Sequence, residues 1–155
     1  MKGKLTIVSL ICVTAAAGAS VAFGSAAGSS ERTITATSLA SGIVFVDADG
    51  NKKPSLGDYE VGLSRYVDAK TGKAIGHGSV VCTQTNAAGT QYQCEGVAHF
   101  PGGDVASAGL FSPLAKTFSL AITGGTGAYA GTTGTLTVTW LAKDFSKSRS
   151  VFSLR

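Results

Sequence analysis

Short runs of β-branched and aromatic residues, punctuated by glycine turns, constrain this chain more than any other feature. Beyond Arg32 no apolar spacing of three and four persists, so no amphipathic helix is expected. Strand-like segments recur instead: Thr33 to Ala40, Ile43 to Asp47, Tyr59 to Asp68, Ala74 to Gln84 and Gln91 to Phe100. Val105 to Phe111, Lys116 to Thr123, Thr133 to Ala142 and Ser148 to Leu154 continue the series. Turn chemistry separates them, as in Ser55-Leu56-Gly57-Asp58, Lys70-Thr71-Gly72-Lys73, Pro101-Gly102-Gly103 and Gly124-Gly125-Thr126-Gly127. Counting the first two segments as one bent strand gives eight strands. An even set of hairpin-connected strands can close on itself and leave no edge. The expected fold is therefore all-β, an eight-stranded antiparallel up-and-down β-barrel. Such a barrel is just wide enough to hold side chains or one small ligand.

The N-terminus reads as a targeting segment. Lys2 and Lys4 form a basic start, Leu5 to Ala17 is apolar, and Ala17-Gly18-Ala19 and Ser25-Ala26-Ala27 offer small-x-small cleavage patterns. The second is preferred. Residues 1–27 are thus expected to be a signal peptide, 28–32 a short flexible lead-in and 33–155 the barrel domain. The apolar run reaches membrane-spanning length only by including several Gly and Ser. Cys12 follows Ile11 rather than a small residue, which argues against a lipoprotein anchor. The expected location is secreted, with no membrane association after cleavage.

Charged residues make up 14% of the chain and hydrophobic residues 44%, which sets it apart from disordered charged tails. The formal charge of +4 includes Lys2 and Lys4, and the other basic residues are scattered. They form no stripe for phosphates, so no nucleic-acid partner is expected.

Cys82 and Cys94 remain after cleavage, on adjacent apolar runs joined by the polar loop Thr83 to Gln91. In an oxidising compartment, two thiols that a hairpin brings together are expected to form a disulfide.

Three motifs have plainer readings than their patterns invite. Gly125-Thr126-Gly127-Ala128-Tyr129-Ala130 resembles a dinucleotide-binding run, but that site needs a helix to follow, and Thr133 to Ala142 is strand-like. Asp47-Ala48-Asp49-Gly50-Asn51, with Asp58 at the twelfth position, has the outline of a calcium loop. It carries Lys52 where an EF-hand has glycine, and so reads as a turn. His77 and His99 lack a ligating partner at short spacing. No metal and no cofactor are expected.

Three stretches carry a family resemblance. Ser55 with Gly57-Asp58 opens a strand, and Lys73-Ala74-Ile75-Gly76 leads towards Cys82. The longest block is Ala121-Ile122-Thr123-Gly124-Gly125-Thr126-Gly127-Ala128-Tyr129-Ala130-Gly131, followed by Gly134. Together they resemble the allene oxide cyclase and dirigent barrels, from about Ser55 to the C-terminus. The resemblance implies an eight-stranded barrel, often a trimer. It also implies a ligand chemistry: stereocontrolled cyclisation of a lipid epoxide, or guided coupling of phenoxy radicals. It transfers no catalytic residue, because Thr33 to Ser38 holds no acid and Ala130 follows Tyr129. The catalytic residues are left unknown.

The expected function is binding of a small hydrophobic or phenolic molecule, with steering of its cyclisation or coupling. The alternative is a non-catalytic, structural or surface barrel. Tyr59, Tyr92 and Tyr129 are expected to wall a pocket at one mouth, with Asp58, Arg65 or Glu95 as polar handles.

Overall fold

The structure, a computed structural model, describes residues 31–155. The signal peptide and most of the lead-in expected from sequence lie outside the described residues. Eight strands follow in order: β1 (Arg32–Val46), β2 (Tyr59–Asp68), β3 (Ala74–Gln84), β4 (Tyr92–Phe100), β5 (Gly103–Phe111), β6 (Thr117–Gly125), β7 (Gly134–Trp140) and β8 (Lys147–Leu154). Each pairs antiparallel with its neighbour in sequence, and β1 pairs with β8 to close the barrel. The two segments read as one bent strand are indeed one: β1 is continuous, with a bulge between Ala40 and Gly42. A bulge bends its strand and raises the local twist, which helps a long strand follow a barrel wall.

The glycine block behaves slightly differently from expectation. Gly124 and Gly125 stay in β6, and the turn starts at Thr126. A single 3-10 turn, Gly127–Tyr129, then leads to β7. Gly127 has φ +57, and a Cβ there would run into the carbonyl of Gly102, so the position needs glycine on two counts. Ala128 N–H donates to Gly102 O at 2.8 Å, which ties this turn to the β4–β5 hairpin. The connection joins antiparallel strands, so the long helix that a dinucleotide site requires is not present here.

The two ends of the barrel differ. At one end Phe100, Phe152, Tyr129, Ile122 and Leu154 form a buried plug, with Tyr66 packed against it. Phe152 lies edge-on to Phe100 at 5.1 Å and to Tyr66 at 5.8 Å, the geometry that ring quadrupoles favour. At the opposite end a smaller cluster forms from Cys82, Cys94 and Tyr92 against Val80 and Phe111.

Cys82 and Cys94 are register partners across β3 and β4 and form a disulfide, S–S 2.06 Å. The bridge closes a separation of 12 residues, and a loop of that length stabilises by about 3 kcal/mol in the chain-entropy view. Denaturant unfolding with and without reductant should show a loss of that order. An unchanged midpoint would remove the bridge from the stability of the barrel.

Candidate functional site

Between the two clusters the barrel is hollow. The cavity has a volume of about 280 Å³. Its existence follows from which side chains point inward. On β2 these are Glu60, Gly62, Ser64 and Tyr66; on β4, Tyr92, Cys94, Gly96 and Ala98; on β8, Ser148, Ser150 and Phe152. Small residues at mid-barrel leave the space that larger residues fill at the plugged end. Gly62 and Gly96 flank Val80, and a Cβ on either would press to 3.0 Å against that strand. Ser38 and Ser107 add hydroxyls from β1 and β5. Tyr92, Phe111, Trp140 and Phe145 surround the unplugged mouth. Phe111, Phe118, Trp140 and Phe145 form a chain of ring contacts with centroids 4.7 to 6.2 Å apart.

Glu60 is the one carboxylate in this wall among the described residues. Burial raises its pKa above the usual carboxylate value, because the apolar wall disfavours the charged form. Deeper in, burial pushes the Tyr66 phenol up to about 12. The Tyr92 phenol is also raised, first by burial and then by the carboxylates of Glu60 and Asp58. The site thus combines apolar walls, several hydroxyls and one carboxyl that holds a proton more readily than usual.

The structure does not gather the sequence-derived pocket residues at one mouth. Tyr92 lines the cavity, and its hydroxyl reaches Gln84 Oε1 at 3.4 Å. Asp58 and Tyr59 lie at the same end of the barrel but do not line it. Asp58 is fully buried under the β1–β2 loop, where its carboxylate accepts Ala48 N–H at 2.8 Å and Ser55 N–H at 2.7 Å. Arg65 and Glu95 are exposed on the outer face. Tyr129 sits at the plugged end, where its hydroxyl approaches Pro101 O at 3.4 Å and Arg32 lies 4.9 Å over its ring. Strand parity is the reason: Arg65 and Glu95 fall on the opposite parity to Tyr66 and Cys94.

The acidic turn and the two histidines lie outside the cavity wall. Asp47, Asp49 and Asp58 place carboxylate oxygens within 4.8 Å of one another. Backbone N–H groups of Ala48, Gly50, Asn51, Lys52 and Ser55 donate to those carboxylates, which makes the segment a hydrogen-bonded turn. His77 and His99 are register partners on the outer face, rings 5.0 Å apart, and His99 Nδ1 meets Asp104 Oδ1 at 2.7 Å.

Glu60, the inward serines and Trp140 as a mouth residue were missed by sequence reasoning. The pattern that hid them is inverted alternation. Leu63, Val81 and Val97 are large and apolar yet about half exposed on the outside, while Gly62, Ser64 and Gly96 face inward. A reader who assigns apolar positions to the interior turns β2 inside out, whereas β4 keeps the usual order, with Tyr92, Cys94, Ala98 and Phe100 buried.

No protein-family model matches the chain, and no curated protein matches it in sequence. Solved structures do. Pyocyanin demethylase is 26% identical, with a TM-score of 0.69, over 80% of this chain and 100% of that one. A pterocarpan synthase dirigent protein is 14% identical with a TM-score of 0.66, over 81% of this chain and 83% of that one. The Diels Alderase AbmU from Streptomyces koyangensis is 18% identical with a TM-score of 0.63, over 84% of this chain and 71% of that one. A closed eight-stranded antiparallel barrel of the kind found in dirigent proteins and Diels-Alderase cyclases is therefore the fold of this chain.

Proposed function

We propose that this barrel takes a small, largely apolar, ring-bearing molecule through its open mouth and steers its cyclisation, coupling or rearrangement. The observation that carries this reading is the cavity of about 280 Å³, plugged at one end and walled by small residues around one carboxyl, Glu60. The neighbours' names cover a demethylase, pterocarpan synthases and [4 + 2] cyclases. Those reactions differ, so the likeness supports an enclosed organic substrate and not one reaction. Confinement would hold a flexible substrate in one folded conformation, and the walls would keep water from a reactive intermediate. Glu60, with its raised pKa, is the group suited to give or take a proton there. Export is part of the proposal, supported by the disulfide and the N-terminal segment.

The test is to assay the purified protein with allene-oxide-type lipids and phenolic radicals, following ligand binding and product stereochemistry. Bound ligand and an enantiomeric excess are expected. Racemic product at saturating protein, with no binding, would leave only a structural barrel.

Glu60→Gln gives a sharper outcome. Turnover of a proton-transfer substrate should fall by about 10²–10⁴-fold. Stability should move the other way. A carboxyl whose folded pKa exceeds its unfolded value favours the fold while protonated, below the unfolded pKa. That contribution is lost as pH rises through the folded pKa. The variant should therefore melt higher than the parent at about pH 7 and the same at about pH 3.5, where both carry a neutral group. A variant that melts lower at neutral pH would show that the ionised carboxylate holds the fold together.

A further inference from the structure

Trp140, the single tryptophan of the chain, ends β7 at the mouth of the cavity. Its indole Nε1 is buried and has no hydrogen-bond partner among the described residues. Buried donors are paired in the great majority of folded proteins, so an orphan at a ligand cavity calls for a physical account. The surrounding side chains supply rings: Phe145 at 4.8 Å in a T-shaped arrangement, Phe118 at 6.0 Å and Phe111 at 6.2 Å. A ring face is at most a weak acceptor for N–H.

Phe145 is the cover over this corner. It belongs to the loop between β7 and β8, lines the cavity and is 37% exposed. Its backbone has φ +59, in the left-handed region that aromatic residues rarely adopt. Its own N–H makes a long bond, 3.4 Å to Ala142 O. The base of the loop is held better, by Leu141 N–H to Lys147 O at 2.9 Å and Ala40 N–H to Ser146 O at 2.9 Å. The Asp144 carboxylate also spans the tip, accepting Ser146 N–H at 3.2 Å and Ser146 Oγ–H at 2.7 Å, so the motion required is that of the Phe145 ring about its own side-chain bonds.

We infer that the Trp140 indole N–H is the hydrogen-bond donor for the ligand, exposed when the Phe145 ring swings off the mouth. The cavity then selects flat, ring-bearing molecules that carry a carbonyl-type acceptor. This rests on the ligand-binding reading above and narrows it, by adding at the mouth a donor distinct from the serine hydroxyls and the Glu60 carboxyl further in. The donor fixes one edge of the ligand at the mouth, on the same side of the barrel's length as Tyr92.

Fluorene and fluorenone separate the two ideas, because they share a shape and differ by one carbonyl. Their affinities are measured for the parent, Trp140→Phe and Phe145→Ala. The ratio of fluorenone to fluorene affinity should be about 3–10-fold higher in the parent than in Trp140→Phe, the size of one net hydrogen bond. Phe145→Ala should keep the parent's ratio and speed ligand association. In the unmodified protein the single indole N–H resonance should move downfield with fluorenone and not with fluorene, a readout independent of any variant. Fluorene binding with equal ratios in parent and Trp140→Phe, and an unmoved resonance, would overturn the donor role and leave the cavity reading standing. Failure of both probes to bind the parent would overturn the two together.

Discussion

Replacing Phe152 by alanine is expected to lower the unfolding free energy by about 3–5 kcal/mol, the usual loss for a buried phenylalanine. Its side chain is 1% exposed and is shared by two edge-on ring contacts, to Phe100 and Tyr66. It also separates the hollow middle of the barrel from the plugged end. The truncation therefore does two things at once: it removes core contacts and lengthens the cavity. Urea unfolding reads the first, and binding of a longer apolar ligand reads the second. A loss below about 1 kcal/mol would mean that the plug collapses around the vacancy, and the cavity would then keep its length.

Asp58→Ala is expected to cost about 3–4 kcal/mol for a different reason. The carboxylate is wholly buried and takes hydrogen bonds from Ala48 N–H, Ser55 N–H and, at 3.2 Å, Ser55 Oγ. Alanine leaves two backbone donors without their acceptor, at about 1–3 kcal/mol each. The same residue bonds the barrel rim through its backbone, because Gln84 N–H donates to Asp58 O at 2.7 Å. Gln84 in turn meets the Tyr92 hydroxyl in the cavity wall. The variant should melt lower and also bind cavity ligands less tightly, and hydrogen exchange should rise at Ala48 and Ser55. Unchanged exchange at those two amides would show that the loop does not depend on the carboxylate.

These effects also separate the two roles a buried acid can have. Asp58 is satisfied by neighbouring N–H groups, so its removal destabilises. Glu60 has burial as the cause of its shift and faces a cavity, so its removal is expected to stabilise at neutral pH and impair chemistry. Two carboxylates two residues apart thus have opposite expected signs, and no property of the sequence local to them predicts that.

Strand number, strand limits and the disulfide were legible in the sequence because each depends on local chemistry. Glycine turns and β-branched runs place strand ends, since few other residues tolerate the turn conformations. The stretch Tyr59 to Asp68 and the stretch Ala74 to Gln84 coincide with β2 and β3. Cys82 and Cys94 flank a loop short enough that hairpin pairing brings them opposite each other. The facing of β2 was decided only by the closed barrel. Alternation has period two but no sign, and a one-residue shift in register exchanges inside for outside. In β2 the apolar Val61 and Leu63 have the opposite parity to Glu60, Gly62 and Ser64, so apolarity points to the wrong face, whereas in β4 the alternation of Tyr92, Cys94, Ala98 and Phe100 with Gln93, Glu95 and His99 marks the inner face directly. Only the closed barrel turns Glu60 and the small residues of β2 inward and Arg65 outward. The same closure sets Tyr92 and Tyr129 at opposite ends of the barrel, because an up-and-down chain returns every second connection to the same rim.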